Sequence, residues 1–194
     1  FYRLVWHNLE FKNRKILDFG SGFGATANHL AKSNEVTAVE PNNELLTHRI
    51  CEHHYEQIEG SIEALKGMED GSFDVILCHN VLEYVENRTE LIAEFHRLLK
   101  KGGILSIVKH NKKGKVMHKA VFENNIGEAL SLLNGENAVS MNFGTINEYE
   151  IEDLQDCIEE RFVTDKVYGI RTFYGIQPNS FKEEPDWEEK LFTL

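Results

Sequence analysis

Apolar and polar positions along this 194-residue chain change period repeatedly. Short apolar runs of strand type alternate with stretches of helical spacing, the pattern of βαβ units around a parallel sheet. Lys15 to Phe19 reads as a buried strand and Ala25 to Ser33 as the helix after it. Glu35 to Val39, short and β-branched, is a second strand closed by Glu40 and Pro41. Asn42 or Asn43 caps a predicted helix to about His53, with Leu45, Leu46, Arg49 and Ile50 on one face. Tyr55 to Glu59 is a third strand, and after the turn signal "EDGS" the run "FDVILCHN" is a fourth, apolar enough to be central. In "NRTELIAEFHRLLKKGG" the residues Leu91, Ile92, Phe95, Leu98 and Leu99 form one helical stripe, with Gly102 as the predicted left-handed stop. Ile104 to Lys109 is a fifth strand. Beyond it Val116 to Leu133 reads as largely helical, Asn134 to Asn147 as loop, Glu148 to Glu160 as an acidic helix and Phe162 to Phe173 as a late strand.

Composition narrows the class. With 41% hydrophobic and 27% charged residues, the chain has the make-up of one soluble globular core, and no apolar run nears the ~20 residues that cross a membrane. Cys51, Cys78 and Cys157 are an odd number without CxxC spacing, which points to no disulfide framework and no zinc site, and to a reduced, cytoplasmic setting. No signal peptide is recognisable, although the chain opens on Phe1 without a methionine. A formal net charge of -11 excludes a protein that coats nucleic acid by charge alone. One segment opposes that average: Lys109, Lys112, Lys113, Lys115 and Lys119, with His110 and His118, follow one another without an acid. His48, His53 and His54 lack a carboxylate or thiol at ligand spacing and read as a solvated helix face, so no metal is expected.

The chemistry concentrates at "ILDFGSGFGATANHLA". Gly20, Gly22 and Gly24 fall between a strand and a helix, where glycine allows a tight turn and close approach of a ligand to the backbone. Gly20, Gly22 and Ala25 satisfy G-x-G-x-x-[G/A], which leaves a dinucleotide open. Glu40, twenty residues past Gly20, is placed to accept ribose hydroxyls. Asp18 at the end of the first strand repels a pyrophosphate and attracts an ammonium. His79 and Asn80 put polar groups at the carboxyl end of the fourth strand, the ligand edge of open α/β sheets. There is no Tyr-x-x-x-Lys pair of the kind that serves hydride transfer.

Taken in order, "ILDFGSGFG", Glu40, "FDVILCHNVLEYV" and "LLKKGGIL" resemble the motif series of class I S-adenosylmethionine-dependent methyltransferases, over about residues 15 to 110. The resemblance implies an α/β, Rossmann-like three-layer sandwich with a mostly parallel sheet in the order 3-2-1-4-5 and a C-terminal antiparallel part left incomplete. It implies a single domain over 1–194, its cofactor-binding half about 12–110 and its acceptor-side half about 111–194, using S-adenosylmethionine and no metal. Carried over by position, Asp18, Gly20 and Gly22 line the methionine moiety, Glu40 holds the ribose, and Gly60, Ser61 and Ile62 flank the adenine. The family often has an acid where Ser61 stands. Ser21 and Pro41 complete the cofactor-binding set, and His79 and Asn80 face the sulfonium and its methyl group.

For the acceptor, "HNVLEYV", "HNKKGKVMHKAVFENN", "GIRTFYG" and "VWHNLE" are similar to segments of bacterial tRNA 5-carboxymethoxyuridine methyltransferases, which esterify a carboxylate on a wobble uridine. A carboxylate is already ionised at neutral pH and needs a cation to orient it; Arg171 is the expected catalytic partner. His79 is the expected base where the acceptor must lose a proton, or else a strand-end histidine that only packs. Glu83 and Tyr84 line the acceptor pocket or cap the next turn, and Phe173 and Tyr174 stack on a base or belong to the core. The expected partner is an anionic acceptor, tRNA or a small molecule, and no membrane; a silent S-adenosylmethionine-binding module is the alternative of another class. The loop Asn134 to Asn147 brings no lysine or arginine toward RNA.

Overall fold

The computed structural model describes residues 2–135, 139–140, 144–145, 147, 149–158, 161–170 and 179–192. The chain forms two compact units, one of residues 11–110 and 140–163 and one of residues 1–10, 111–139 and 164–194.

In chain order the elements are α1 (Tyr2–His7), β1 (Lys15–Phe19), α2 (Ala25–Leu30), β2 (Glu35–Glu40), α3 (Asn43–Thr47), β3 (Glu56–Glu59), α4 (Ile62–Leu65) and β4 (Phe73–His79). A 3-10 turn (Leu82–Tyr84) precedes α5 (Arg88–Leu98), β5 (Leu99–Val108), α6 (Lys112–Met117), a π-helical turn (His118–Phe122) and α7 (Ile126–Leu133). The short strands β6 (Val139–Ser140) and β7 (Gly144–Thr145), then α8 (Ile151–Ile158), a 3-10 turn (Asn179–Glu183) and α9 (Trp187–Phe192) complete the list. No helix among the described residues is long and apolar enough to cross a membrane.

The larger unit is built on a five-stranded sheet in the order β3-β2-β1-β4-β5, all parallel. The strand order is the one the motif series implies. Parallel strands joined by helices are covered on both faces, which is why Ile16, Leu17, Val75, Ile76, Leu77 and Cys78 are buried on either side of the pleat. Asn87 caps α5 by accepting the Glu90 N–H at 3.1 Å. The stripe Leu91, Ile92, Phe95 and Leu98 is fully buried, worth roughly 1.5–3 kcal/mol a side chain.

Three sequence expectations are corrected. The helix predicted from Asn42 to His53 ends at Thr47, because the next residues bond elsewhere. The Ile50 N–H donates to the Phe23 carbonyl at 2.8 Å, and Asn28 Oδ1 accepts the N–H groups of Glu52 and His53 at 2.8 Å each. His48, His53 and His54 thus lie beyond that helix. Gly102 does take the left-handed conformation, at φ 78°, but inside β5, where the strand makes an excursion between the pairs Phe73–Leu99 and Val75–Ile104. The largely helical reading of Val116 to Leu133 holds, as the end of α6, the π-helical turn and α7, with a break at Asn124, φ 49°, after which Asn125 caps α7 anew. The late strand predicted for Phe162 to Phe173 forms no strand over 162–170, where Val163 is 93% exposed and so buries no apolar face of the kind a strand offers a sheet. Among the described residues, then, the sheet has five parallel strands and no antiparallel part.

In the smaller unit, Lys119 reaches Glu123 and Glu128 at 2.8 and 3.1 Å, so part of the basic run is spent on neighbouring acids.

Candidate cofactor and acceptor site

The turn after β1 is held by backbone. The N–H groups of Gly20 and Ser21 both donate to the Val39 carbonyl at the end of β2, at 2.8 and 3.1 Å. Gly20, Gly22 and Gly24 all have positive φ, a conformation that side chains disfavour. Two of the three are also hemmed in: a Cβ on Gly20 would lie 2.2 Å from Val81 Cγ2, and one on Gly24 2.1 Å from the Tyr55 hydroxyl oxygen. At Gly22 a Cβ would meet nothing within 4 Å, so the turn opens there.

Glu40 closes one side of that opening. Its carboxylate is buried, with Oε2 accepting the Gly22 N–H at 2.8 Å and Oε1 accepting the Asn42 N–H at 2.9 Å. Asp18 lies beneath, only 3% exposed. Burial pushes its carboxyl up to about 7, against a bond from the Ala27 N–H and with the charge of Glu40 adding. Asp18 Oδ2 and the Ser21 hydroxyl are buried without a hydrogen-bond partner. An orphaned carboxyl oxygen and an orphaned hydroxyl beside an open glycine fit a ligand that brings both donors with positive charge and an acceptor, as the ammonium and carboxylate of the amino-acid end of S-adenosylmethionine do.

Of the remaining expected cofactor residues, Pro41 and Ser61 are exposed and Ile62 half-buried. The Gly60 N–H donates to the Glu40 carbonyl at 3.1 Å, tying the end of β3 to the end of β2. His79 is the last residue of β4, and its Nε2 lies 3.0 Å from the Ser106 hydroxyl of β5. Burial lowers its pKa to about 4, so this imidazole is neutral at physiological pH. Asn80 follows at φ 56°, its N–H on the Val108 carbonyl at 2.7 Å; a left-handed non-glycine residue at the ligand edge is a local cost that the two strand ends hold in place. Arg171, Phe173 and Tyr174 lie outside the described residues.

A second cluster lies past the ends of β4 and β5. Glu83, in the turn after β4, has a side chain 3% exposed. Its Oε1 accepts the His110 backbone N–H at 2.9 Å and lies 3.3 Å from His110 Nδ1, while Oε2 has no partner. Burial alone would raise the Glu83 carboxyl, but the bonds from the His110 ring and backbone outweigh it and hold the group below its usual range. The ring of buried Tyr149 carries Arg88 Cζ at 4.5 Å and Lys109 Nζ at 4.7 Å from its centroid, and its hydroxyl is unpartnered. Arg88 also donates to the carbonyls of Leu82 and Asn147, which fixes the turn bearing Glu83. Sequence reasoning reached Glu83 only as a lining or capping residue and did not single out Tyr149 or Arg88. Glu83 and His110 are 27 residues apart, and only the pairing of β4 with β5 brings them together.

A concave space of about 630 Å³ lies at the opposite edge of the sheet, lined by Arg14, Lys15, Glu35, Asp74 and Lys100 among others. It is broad and polar, and four of its charges pair with one another, Lys15 with Glu35 and Lys100 with Asp74. No orphaned buried atom faces a ligand there, and the chemistry belongs to the glycine-turn edge.

Residues 17–107 match the family model described as "Methyltransferase domain". Thiol S-methyltransferase TMT1B of Mus musculus is 32% identical over 105 residues, covering 50% of this chain and 43% of that protein. The ubiquinone biosynthesis O-methyltransferase of Albidiferax ferrireducens is 31% identical over 114 residues, covering 52% and 44%. The chain thus spans less than half the length of these curated relatives. In fold it is similar to the crystal structure of a SAM-dependent methyltransferase from Methanosarcina mazei, with a TM-score of 0.59 at 20% identity over 80% of this chain and 82% of that one. Residues 17–107 thus match a methyltransferase domain and fold in the strand order of the methyltransferase structures, and the cofactor this implies is S-adenosylmethionine.

Proposed function

We propose that this chain transfers a methyl group from S-adenosylmethionine to a small organic acceptor. The observation that carries the reading is the pairing of unpartnered, buried Asp18 Oδ2 with the open face of Gly22. The sulfonium supplies an activated methyl group when the cofactor is bound. Asp18 then meets the ammonium of the methionine end, Glu40 the ribose hydroxyls, and Ser61 and Ile62 the adenine. His79, neutral and held by Ser106, and the left-handed Asn80 shape the space beside the methyl group without adding charge to it. The relatives named for thiol and ubiquinone-pathway acceptors support a small acceptor over a macromolecule. The test is thermal shift with S-adenosylhomocysteine against NAD, followed by transfer of labelled methyl to small thiols and phenols. Stabilisation by NAD alone would sink the reading.

A second reading, esterification of a carboxylate on a tRNA wobble uridine, draws on the lysine run from Lys109 to Lys119. In it Arg171 grips the carboxylate in two bonds and no base is required. Lys109 is engaged on Tyr149, and Lys119 on Glu123 and Glu128, which leaves the run less charge to offer RNA than its composition implies. An unchanged modified-uridine profile in tRNA from a deletion strain removes this reading.

A further inference from the structure

We infer that His110, oriented by Glu83, is the general base of the acceptor site, and that the acceptor is therefore a group that must lose a proton, a phenol or a thiol. The inference rests on the methyltransferase reading and deepens it. Its basis is the juxtaposition of a buried carboxylate and an outward imidazole at the carboxyl edge of the sheet. Val108 pairs with His79 across β4 and β5, so His110 stands two residues beyond the strand end that carries Asn80.

Glu83 takes both the backbone N–H and the Nδ1 side of His110 on one oxygen. That arrangement keeps the proton on Nδ1 and the lone pair on Nε2, the orientation a base requires. Nε2 has no partner among the described residues, and the His110 side chain is 46% exposed while Glu83 beneath it is 3% exposed. A carboxylate buried to this degree, with Oε2 unsatisfied, is costly as a mere surface ion pair, since exposed pairs contribute little. It is accounted for as the fixed end of an imidazole whose other end works. The ionisable and charged groups around the pair are Lys109, Arg88, Tyr149 and Cys78. The two cations sit over the Tyr149 ring, and Cys78 is a buried thiol whose pKa burial raises. Neither thiol nor phenol competes with His110 for the acceptor proton at neutral pH.

In the step itself the acceptor O–H or S–H proton passes to His110 Nε2 while the acceptor lone pair forms the new bond to the methyl carbon. The carbon–sulfur bond of the sulfonium breaks with its electron pair going to sulfur, and His110 later releases the proton to water. Phenols and thiols, with ordinary pKa values of about 10 and about 8.5, need that base, and a carboxylate does not.

The test uses the full chain with S-adenosylmethionine and three probes: catechol, 2-mercaptoethanol and benzoate. The expected result is methylation of catechol or the thiol, with His110→Gln and His110→Ala lowering kcat at neutral pH by about 100-fold or more. The loss should shrink as pH rises and the acceptor ionises unaided, and added imidazole should restore part of the His110→Ala rate. Glu83→Gln should lower kcat with the KM for S-adenosylmethionine unchanged. S-adenosylhomocysteine should stabilise all the variants as it does the native chain, which keeps a folding defect apart from a chemical one. Methylation of benzoate alone, unaltered rates in the His110 variants, or no methylation of any probe while S-adenosylhomocysteine still binds would each overturn the inference and leave the cofactor reading standing. Failure of S-adenosylhomocysteine to bind the native chain would instead remove the methyltransferase reading on which it rests.

Discussion

Glu40 and Gly22 are joined across the ligand edge of the sheet: Glu40 Oε2 accepts the Gly22 N–H at 2.8 Å, while the other oxygen accepts the Asn42 N–H. One carboxylate therefore organises both the glycine turn after β1 and the entry to α3. It still has free lone pairs for ribose hydroxyls, so binding adds to this network without dismantling it.

Glu40→Ala should weaken S-adenosylhomocysteine binding by about 1.5 to 3 kcal/mol, roughly ten- to a hundredfold, as hydrogen bonds to a charged group are lost. It should also lower the melting temperature of the free protein, because two N–H groups lose their acceptor. Calorimetric titration and a melt check the two effects separately. An unchanged affinity would show that Glu40 does not face the ribose.

Asp18 makes the free protein sensitive to pH. Because burial raises its carboxyl to about 7, the folded chain keeps a proton that the unfolded chain, with an ordinary aspartate, has already lost. Its contribution to stability therefore falls as pH rises from about 4 to about 7 and then levels off. Asp18→Asn should melt close to the native protein at acid pH and higher than it at pH 7.5, with the gap opening through that window. The same variant should bind S-adenosylhomocysteine more weakly, since the amide offers no charge to the ammonium. Melts across the pH range and one titration decide both points, and a gap that does not change with pH counts against the assignment.

Gly20 and Gly22 have the same sign of φ but unequal surroundings. Gly20→Ala drives a methyl group to within 2.2 Å of Val81, a stiff β-branched side chain, whereas Gly22→Ala enters open space. Gly20→Ala should cost about 1 to 3 kcal/mol more in stability than Gly22→Ala, as measured by urea unfolding. Gly22→Ala should instead act mainly on cofactor affinity, because the added methyl group occupies the opening above the turn.

Tyr149 buries a hydroxyl that has no partner, while its ring is flanked by Arg88 and Lys109. Tyr149→Phe keeps the ring and removes the orphan, so it should leave stability unchanged or raise it by up to about 1 kcal/mol. Tyr149→Ala should lose several kcal/mol through the cavity it creates. A Tyr149→Phe variant as unstable as Tyr149→Ala would mean that the hydroxyl is satisfied in solution.

The strands were legible in the sequence because their signals are local. "KILDF" and "FDVILCH" are apolar enough to declare central parallel strands, and Glu40 follows the glycine turn at an interval that an α/β unit sets. The helix predicted to His53 was not legible as false. Leu45, Leu46, Arg49 and Ile50 keep helical spacing, yet the Ile50, Glu52 and His53 N–H groups find better acceptors in Phe23 and Asn28, far away in sequence. Gly102 shows the same limit: its left-handed preference is intrinsic, but whether it stops a helix or bends a strand depends on what lies beside it.

The sequence by itself determined the place of the glycine turn and of the carboxylates Asp18 and Glu40, since these follow from apolar runs, glycine's freedom at positive φ and fixed intervals along one chain; the strand order it carried only through the likeness of its motif series. Only the tertiary structure decided that Glu40 is bonded to Gly22, that Asp18 is left with an orphaned oxygen, and that Glu83 lies beneath His110. The physical reason is that burial and pairing are set by neighbours across the sheet: a carboxylate's charge, its proton and its partners depend on which strand lies next to it, and no interval along the chain records that.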